Sequence, residues 1–477
     1  MNKKSRAQVG LFGVGLQTYW DQFDGLKERL QGYLDVLAEQ LETLDADVFN
    51  EGLIDTPEKA FESGLKFKQQ DIDLIFLYAS TYAVSSTILP AVRKAGVPVI
   101  VLNLSAESAI SYSDFNQMKN RTLMTAEWLA YCSACSVPEI SNVFRRSGIP
   151  FFQVTGVLKG DVHVRRELEE WVSAAAVARK MYYNRLGLLG TYYGGMLDIY
   201  TDLTLHCATF GGHIEILEVD ELSALRRNVT DQEIDEKLLE INQELEVQED
   251  CSFEELKRAA ITAVALDKLV SRHHLGSLAY YLKSSPDTEN ETTITSVIVG
   301  NSLLTGRGIP VAGEYEIKNV QAMKILDSLG AGGSFTEYYA MDYIDDVVLM
   351  GHDGPCHPKI AAGKVKVKPL QVYHGKAGCG LSVEMSVAQG PVTLLSVIER
   401  GDGTLKLLLA QAESVEGPIL EIGNTNSRYK FACGARNFVE AWNAEGPAHH
   451  CAIGRGHLSS VIKKLGQLLK IDVIEIS

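Results

Sequence analysis

The sequence predicts an α/β protein with two doubly wound, parallel-sheet domains followed by a β-rich C-terminal domain. Apolar runs such as "DLIFLYAS" (73–80) and "VPVIVLNL" (97–104) are typical of central parallel strands buried on both faces. Amphipathic stretches with i, i+3, i+4 spacing separate such runs and give repeated β-then-α units, a Rossmann-like layout. The last third instead has short alternating runs broken by glycine-containing turns, which favours hairpin-rich, barrel-like β structure.

The first domain is expected over residues 1–183. "QVGLFGVG" (8–15) predicts its first strand, and residues 24–43 predict the helix that follows. "ADVFNEG" predicts a second strand. The next helix should begin at Pro57, with Thr56 as its N-cap, because proline suits the first helical position.

The second domain is expected over residues 184–330, and the β-rich domain over residues 331–477. In the second domain, strands are predicted within 184–195, 213–222, 276–283 and 295–304, with a loop after the second strand and helices over 231–248 and 253–272. In the third domain, "RGDGT" (400–404) marks a hairpin turn, a helix is predicted within 456–470, and "IDVIEIS" predicts a closing strand.

Composition and charge narrow the classes of function. The 477 residues include 61 acidic and 45 basic side chains, a formal net charge of −16. This balance argues against nonspecific binding to nucleic acid and against an anionic membrane surface. No secretory apolar segment and no run of about eighteen apolar residues is evident, so the expected location is the cytoplasm.

The eight cysteines are scattered and do not resemble a disulfide framework. One pair, Cys132 and Cys135 in "CSAC", has the spacing of a redox dithiol or of half a zinc site. No second such pair exists, and the following "SVPEI" is unlike a redox turn. The pair is therefore expected to pack in the interior or to line a pocket.

Four glycine-flanked segments carry side chains that bind metal ions. "PVAGEYE" contains Glu314, "GAGGSFTEYY" contains Glu337, "VVLMGHDGPCHP" contains His352, and "GPAHH" contains His449 and His450. Two carboxylates with two imidazoles can form an octahedral site for Mn²⁺-like ions that keeps positions open for substrate oxygens. Zn²⁺ is less favoured because it usually takes four tetrahedral ligands.

Each of these residues also has a structural interpretation. Glu314 could be a first-turn acid of the helix predicted by "EYEIKNVQAMKIL", Glu337 a surface residue, and His352 a hydrogen-bonding turn residue. "GLFGVG" resembles part of a dinucleotide-binding fingerprint, but its third glycine is missing and NAD binding is not expected.

With "AGE", "GGSFTE", "DVVLMGHDGPCHPKIAA" and "GPAHH" in this order, the chain resembles the L-arabinose isomerase and L-fucose isomerase-like superfamily, on its arabinose isomerase branch. The resemblance implies a Mn²⁺ ion, with Mg²⁺ or Co²⁺ as alternatives. It implies Glu314, Glu337, His352 and His450 as metal ligands, with the two glutamates also acting as acid and base. His449 would contact the substrate or support the ligands.

The resemblance also implies further substrate-binding residues. They are Gln17, with Tyr19 and Trp20 beside it, in the first strand–helix loop, Met196 in the first loop of the middle domain, and Tyr280 as an aromatic pocket residue. A family segment like "NQTAHGGREFG" is matched here by "YCSACSVPEI", so Cys132 and Cys135 replace polar groups that reach the sugar. This departure leaves the identity of the sugar open.

The implied reaction is aldose–ketose isomerisation of an open-chain monosaccharide through a cis-enediol, with a metal-assisted hydride shift as the other route. Alternatives are an isomerase of another sugar, such as L-fucose or sulfoquinovose, and a noncatalytic sugar-binding protein. The resemblance also implies a homo-oligomer, a hexamer built from trimers. Because extended neighbours point to opposite sides, His449 and His450 are not both expected to bind the ion.

Overall fold

The computed structural model describes residues 6–370 and 379–477. The chain divides into two compact units, Met1–Arg179 and Lys180–Ser477, each described here by itself. The division into three domains at residues 183 and 330 stays a prediction.

The first unit contains a five-stranded parallel sheet in the order β2-β1-β3-β4-β5. Its strands are β1 (Ala7–Val14), β2 (Ala46–Ile54), β3 (Leu74–Tyr78), β4 (Val99–Ser105) and β5 (Phe151–Val157). The helices that accompany them are α1 (Leu26–Glu42), α2 (Pro57–Gln69), α3 (Leu89–Ala95), α4 (Tyr112–Gln117), α5 (Arg121–Tyr131), α6 (Val137–Arg146) and α7 (Val162–Tyr182).

Local sequence explains these elements. All residues of β1 and of β3 are buried, as expected for strands covered by helices on both faces. Helix α2 begins with Pro57, and the hydroxyl of Thr56 accepts a hydrogen bond from the Lys59 amide at 3.3 Å. The predicted doubly wound layer and the predicted cap are both confirmed.

The second unit begins with a parallel sheet in the order β10-β9-β6-β7. The strands of this part of the chain are β6 (Arg185–Gly190), β7 (His213–Leu217), β8 (Glu246–Val247), β9 (Ser277–Tyr281) and β10 (Val311–Ala312). Its helices are α8 (Leu203–Phe210), α9 (Val219–Arg227), α10 (Asp231–Glu244), α11 (Phe253–His273), α12 (Glu289–Ile294), α13 (Ile298–Gly306) and α14 (Ile317–Ser328).

Two sequence-based expectations in this region are wrong. The predicted strand at 295–304 is mostly helix α13, and the predicted loop after residue 217 begins helix α9. Every residue from Ile298 to Thr305 is buried. A helix that is covered on all sides has no polar face, so its apolar run cannot be distinguished from that of a buried strand.

The C-terminal part is β-rich, as predicted. Its strands are β11 (Gly332–Asp342), β12 (Val347–His352), β13 (Lys366–Leu370), β14 (Gly380–Glu384), β15 (Gly390–Glu399), β16 (Leu405–Val415), β17 (Thr425–Lys430), β18 (His450–Arg455) and β19 (Asp472–Ile476), with helices α15 (Ala435–Ala444) and α16 (Ser459–Leu469). The order β15-β18-β11-β12-β17-β16 closes on itself because β15 also pairs with β16. This closure produces a barrel-like sheet without free edges.

Strand β19 and a separate small sheet lie outside this closed sheet. Strand β19 pairs in parallel with β16, and β14-β13-β8 form a separate three-stranded sheet. The predicted turn at 400–404 joins β15 to β16. The sequence "GKVKVKPLQVYHG" (363–375) is one of the alternating runs that predict strands, and its last five residues fall within 371–378, which lie outside the described residues. No helix in the described ranges combines the length and apolarity needed to cross a membrane.

A pair of helical glycines allows the packing of the first unit to be tested. A Cβ added at Gly64 in α2 would lie 2.5 Å from the Ala91 carbonyl oxygen, whereas one at Gly32 in α1 would meet nothing within 4 Å. We expect Gly64→Ala to lower the free energy of unfolding by about 1–3 kcal/mol through overpacking. Gly32→Ala should raise it by about 0.5–1 kcal/mol. Denaturant unfolding of both variants measures this; equal effects would contradict the packing.

The imidazole of His273 provides a pH-dependent contribution to stability. Its Nδ1 lies 2.7 Å from Glu215 Oε1 and its Nε2 lies 3.0 Å from Glu221 Oε1. The hydrogen bond to Glu221, and then that to Glu215, raise the pKa of His273 despite partial burial. The stabilisation should therefore be complete below about pH 6.5 and be lost as the pH rises through the folded-state pKa.

Unfolding titrations between pH 5.5 and 9 of the natural chain and of His273→Gln test this contribution. The stability difference between the two should shrink as the pH rises, because only the imidazolium donates to both carboxylates. His213→Gln, at an exposed histidine of β7, the strand that also carries Glu215, is the matched control. A difference independent of pH would show that His273 is not charged in the folded state.

Candidate active site

Three neighbouring strands of the barrel bring together one predicted carboxylate and two predicted imidazoles. In β11, Glu337 pairs with His450 of β18 on one side and with Gly351 of β12 on the other. His352 follows Gly351 and ends β12. Residues paired across antiparallel strands have Cβ atoms about 4.5–5.5 Å apart. Sheet register thus assembles residues separated by as much as 113 positions in the chain.

The backbone of β12 is fixed beside this cluster. The His352 amide donates to Thr425 Oγ1 at 2.9 Å, and that hydroxyl donates to the His352 carbonyl at 2.8 Å. A Cβ added at Gly351 would lie 1.8 Å from the Thr425 carbonyl oxygen. Glycine at 351 is therefore required for the close approach of β12 and β17 that positions His352.

Glu314 reaches the cluster from a turn between β10 and α14. Glu314 and Tyr315 have φ values of 58° and 64°, in the left-handed region that side-chain-bearing residues rarely adopt. The Tyr315 amide donates to the Tyr280 carbonyl at 3.0 Å, and Asn319 in α14 donates to the Cys451 carbonyl at 3.2 Å. Surrounding bonds thus hold the turn in place. Glu314 precedes α14 and is not a first-turn helix acid.

His450 is the common member of two potential ligand groups. One ligand atom from each of Glu314, His449 and His450 lies within 4.8 Å of the other two, and the same holds for Glu337, His352 and His450. His450 Nε2 lies 3.4 Å from Glu314 Oε2, and Nδ1 lies 3.6 Å from Glu316 Oε2. Neither ring nitrogen forms a hydrogen bond with a described residue.

Packing and burial determine the electrostatics of the cluster. The ring of Phe335 lies 4.4 Å from both His352 and His450, measured between ring centroids. Burial holds the pKa of His450 well below its usual value, which favours the neutral imidazole. Burial, with the charges of Glu314 and Asp353, raises the pKa of Glu337 to about 7 against the lowering effect of His449.

The two adjacent histidines do not point to opposite sides. Their ring centroids lie 3.8 Å apart, and His449 Nε2 is 3.8 Å from Glu314 Oε2. The expectation of opposite orientations fails because β18 begins only at His450, so strand alternation does not extend to His449. Burial lowers the pKa of His449, but its hydrogen bond to Asp198 and the charges of Asp198, Glu314 and Glu337 outweigh burial and raise it.

The cluster opens into a cleft of about 430 Å³. Of the predicted residues, Met196, Tyr280, Glu314, Glu337, His352 and His449 line this cleft. His450 lies behind them, buried. Tyr193 and Tyr281 add two further aromatic side chains to the wall, with their rings tilted against each other and 4.6 Å between centroids. The cleft therefore has an acidic and imidazole end and an aromatic side, a combination that suits a small polyhydroxylated ligand.

The predicted sugar contacts Gln17, Tyr19 and Trp20 belong to the first unit. They follow β1 directly, at the carboxyl end of its sheet. Gln17 is exposed, and the Trp20 indole donates to Asp55 Oδ2 at 2.7 Å. Part of the role of Trp20 is thus to close the loop onto β2 and its following turn, which the sequence did not indicate.

Cys132 and Cys135 differ from expectation, because their sulfur atoms are bonded as a disulfide. Cys132 is buried and Cys135 is exposed. Two cysteines three positions apart at the end of α5 come close enough to bond, so they are more than packing residues. Their place in the first unit leaves any pocket-lining role a prediction.

The donor set fits a divalent cation. Glu314, Glu337 and His352 each lie in a group of potential ligands with His450, whose ring nitrogens form no hydrogen bond with a described residue that a coordinated ion would have to break. Burial also makes the ionised form of Glu337 costly, a cost that a cation offsets. Carboxylate oxygens and imidazole nitrogens are both common ligands of divalent cations in proteins.

Besides Tyr193 and Tyr281, two acidic residues beside the cluster were missed by sequence analysis. Asp198 hydrogen-bonds to His449 across 251 positions, and buried Glu316 faces His450. Burial raises the pKa of Glu316 to about 7. The second acid of "GEYE" was a visible signal for Glu316, whereas nothing in the loop "GGMLDIY" indicates a partner so distant.

No curated protein matches the chain. The family model of the L-arabinose isomerase C-terminal domain matches residues 332–472, a segment that holds Glu337, His352, His449 and His450 but not Glu314. The β-rich region of this chain is thus similar to the C-terminal domain of L-arabinose isomerases, and the match supports an aldose–ketose isomerase.

Proposed function

We propose that this protein is a metal-dependent aldose–ketose isomerase that acts on an open-chain monosaccharide, in the manner of L-arabinose isomerases. One observation carries the proposal. Glu314, Glu337, His352 and His450, which come from a turn and three barrel strands, gather at the end of one cleft around a buried imidazole shared by both ligand groups. The match over residues 332–472 independently supports the same reaction class.

These four residues would hold the cation, with Mn²⁺ the expected ion and Mg²⁺ or Co²⁺ as alternatives. A bound cation would supply Lewis-acid polarisation of the sugar carbonyl. The Phe335 ring and the neighbouring strands hold His352 and His450 in fixed orientations. Rigid elements rather than loops thus set most of the ligand geometry.

The remaining chemistry belongs to the side chains of the cleft. Isomerisation requires a base that removes the C2 proton and a group that moves protons between O1 and O2. Glu314 and Glu337 both line the cleft and are the carboxylates proposed for these steps. Tyr193, Tyr280 and Tyr281 line its side and would exclude water from the exchanging protons.

The substrate class proposed is an aldopentose or aldohexose of the L-arabinose type, with L-fucose and sulfoquinovose as the alternatives. The cysteine pair of the first unit replaces polar residues expected from the resemblance, and it is the reason to test several sugars. The proposed assembly is a homohexamer, again on the resemblance.

Metal removal is the first test. We expect aldose-to-ketose turnover in the presence of Mn²⁺, its loss after EDTA treatment and dialysis, and its return on addition of Mn²⁺. A panel of L-arabinose, L-fucose, D-galactose and sulfoquinovose, scored for ketose formation, identifies the substrate. Sugar binding that persists after EDTA treatment, with no turnover under any condition, would instead indicate a noncatalytic binding protein.

The histidine pair is the second test. His450→Ala should weaken Mn²⁺ binding by at least about 100-fold, because even outer partners of metal ligands contribute about 10–100-fold. His449→Ala should keep the metal and lower kcat/KM by about 10-fold, the loss of one hydrogen bond of about 1.4 kcal/mol. Calorimetric titration with Mn²⁺ and steady-state kinetics measure the two effects.

His457→Ala is the matched control, because His457 is a half-exposed histidine of the same region outside the cleft. It should change neither metal affinity nor turnover. Loss of metal in His449→Ala with retention in His450→Ala would reverse the assignment. Unchanged metal affinity in both variants would show that the pair has a structural role and that neither histidine is the fourth metal ligand.

A further inference from the structure

The loop that follows β6 reaches the histidine of the cleft through one carboxylate. Asp198 Oδ2 accepts hydrogen bonds from both the main-chain amide of His449 at 3.0 Å and its Nδ1 at 2.5 Å. An ionised carboxylate can only accept, so Nδ1 of His449 carries a proton. The nitrogen left to face Glu314 and the cleft is therefore Nε2.

A second hydrogen bond, from helix α14, fixes the same loop. Lys318 is buried in α14, the helix that follows Glu314, and its ammonium donates a hydrogen bond to the main-chain carbonyl of Asp198. Ile199, the next residue, is also buried. Asp198 is thus fixed by its main chain as well as by His449, and its carboxylate is preorganised before any ligand binds.

We propose that Asp198 is a positioning residue that holds His449 by Nδ1 and thereby presents Nε2 to an oxygen of the sugar. This inference rests on the proposed function and deepens it by assigning a residue outside the matched segment 332–472. A carboxylate hydrogen-bonded to one imidazole nitrogen fixes both the tautomer and the ring orientation. The side chain of His449 is 38% exposed, and its hydrogen bond to Asp198 fixes which ring nitrogen faces the cleft.

The test compares Asp198→Asn, His449→Ala and the double variant with the natural chain, all loaded with Mn²⁺. Asp198→Asn should lower kcat/KM by up to about 10-fold, no more than His449→Ala does, because a residue that acts through His449 cannot contribute more than His449 itself. It should leave Mn²⁺ affinity within about threefold and the Tm nearly unchanged. Because Asp198 is proposed to act through His449, the double variant should be no slower than His449→Ala.

The matched control is Asp202→Asn in the same loop. Asp202 caps α8 by accepting hydrogen bonds from the amides of Thr204 and Leu205, at 2.7 and 3.2 Å, and it does not line the cleft. Its replacement should lower the Tm slightly and leave kcat and KM unchanged. Equal kinetic losses in Asp198→Asn and Asp202→Asn would show that the loop matters only for stability and would overturn the proposal.

Three other results of these experiments would contradict the proposal. Additive losses in the double variant would show that Asp198 acts independently of His449. A large loss of Mn²⁺ affinity in Asp198→Asn would show that His449 is oriented towards the metal rather than the sugar. A kcat/KM of Asp198→Asn equal to that of the natural chain would show that Asp198 does not position His449. Each of these results contradicts the proposal.

A spectroscopic measurement separates this proposal from the proposed function. In a histidine-selective ¹⁵N spectrum assigned with His449→Ala, the natural chain should show the proton of His449 on Nδ1. Asp198→Asn should move population to the other tautomer, because an amide can also donate. If the natural chain forms no ketose with Mn²⁺, the proposed function is wrong. If the His449 spectrum of Asp198→Asn is unchanged, Asp198 does not set the tautomer of His449 and the positioning proposal is wrong.

Discussion

The register of three antiparallel strands is the constraint on which the rest of the site depends. Glu337 lies opposite His450, so a shift of one residue in that ladder would turn one of the two donors to the wrong face, and His352 joins them because it follows Gly351 at the end of β12. Closure of the sheet through β15 and β16 leaves no free edge at which the register could slip. The barrel strands therefore fix the positions of the two imidazoles and the carboxylate relative to one another.

The turn that carries Glu314 has a strained backbone. Glu314 and Tyr315 are consecutive non-glycine residues with positive φ, a conformation that usually costs about 1–3 kcal/mol per residue. The main-chain hydrogen bond from Tyr315 to Tyr280 and the burial of Tyr315 maintain this conformation. This turn directs Glu314 to within 3.4 Å of His450, and a relaxed helix start would not.

Fold and site differ in how far the sequence predicts them. Buried apolar runs and the Thr56–Pro57 cap predicted the first sheet because they reflect local burial and local hydrogen bonding. The same signal failed at 295–304, where full burial removes periodicity. For the site, residue type and glycine context identified Glu314, Glu337, His352 and the histidine pair, since metal-type donors are conspicuous. Asp198 and the Cys132–Cys135 bond were not identified, because both depend on how side chains meet after folding.

The sequence by itself determined the α/β class, the β-rich last third and the four segments that supply metal-type donors, because composition, periodicity and turn residues are local properties of the chain. Only the tertiary structure decided which of those donors share a cleft, that the rings of His449 and His450 lie side by side, and that Asp198 holds one of them. These facts follow from sheet register and from contacts between residues as far as 251 positions apart, which no local pattern encodes.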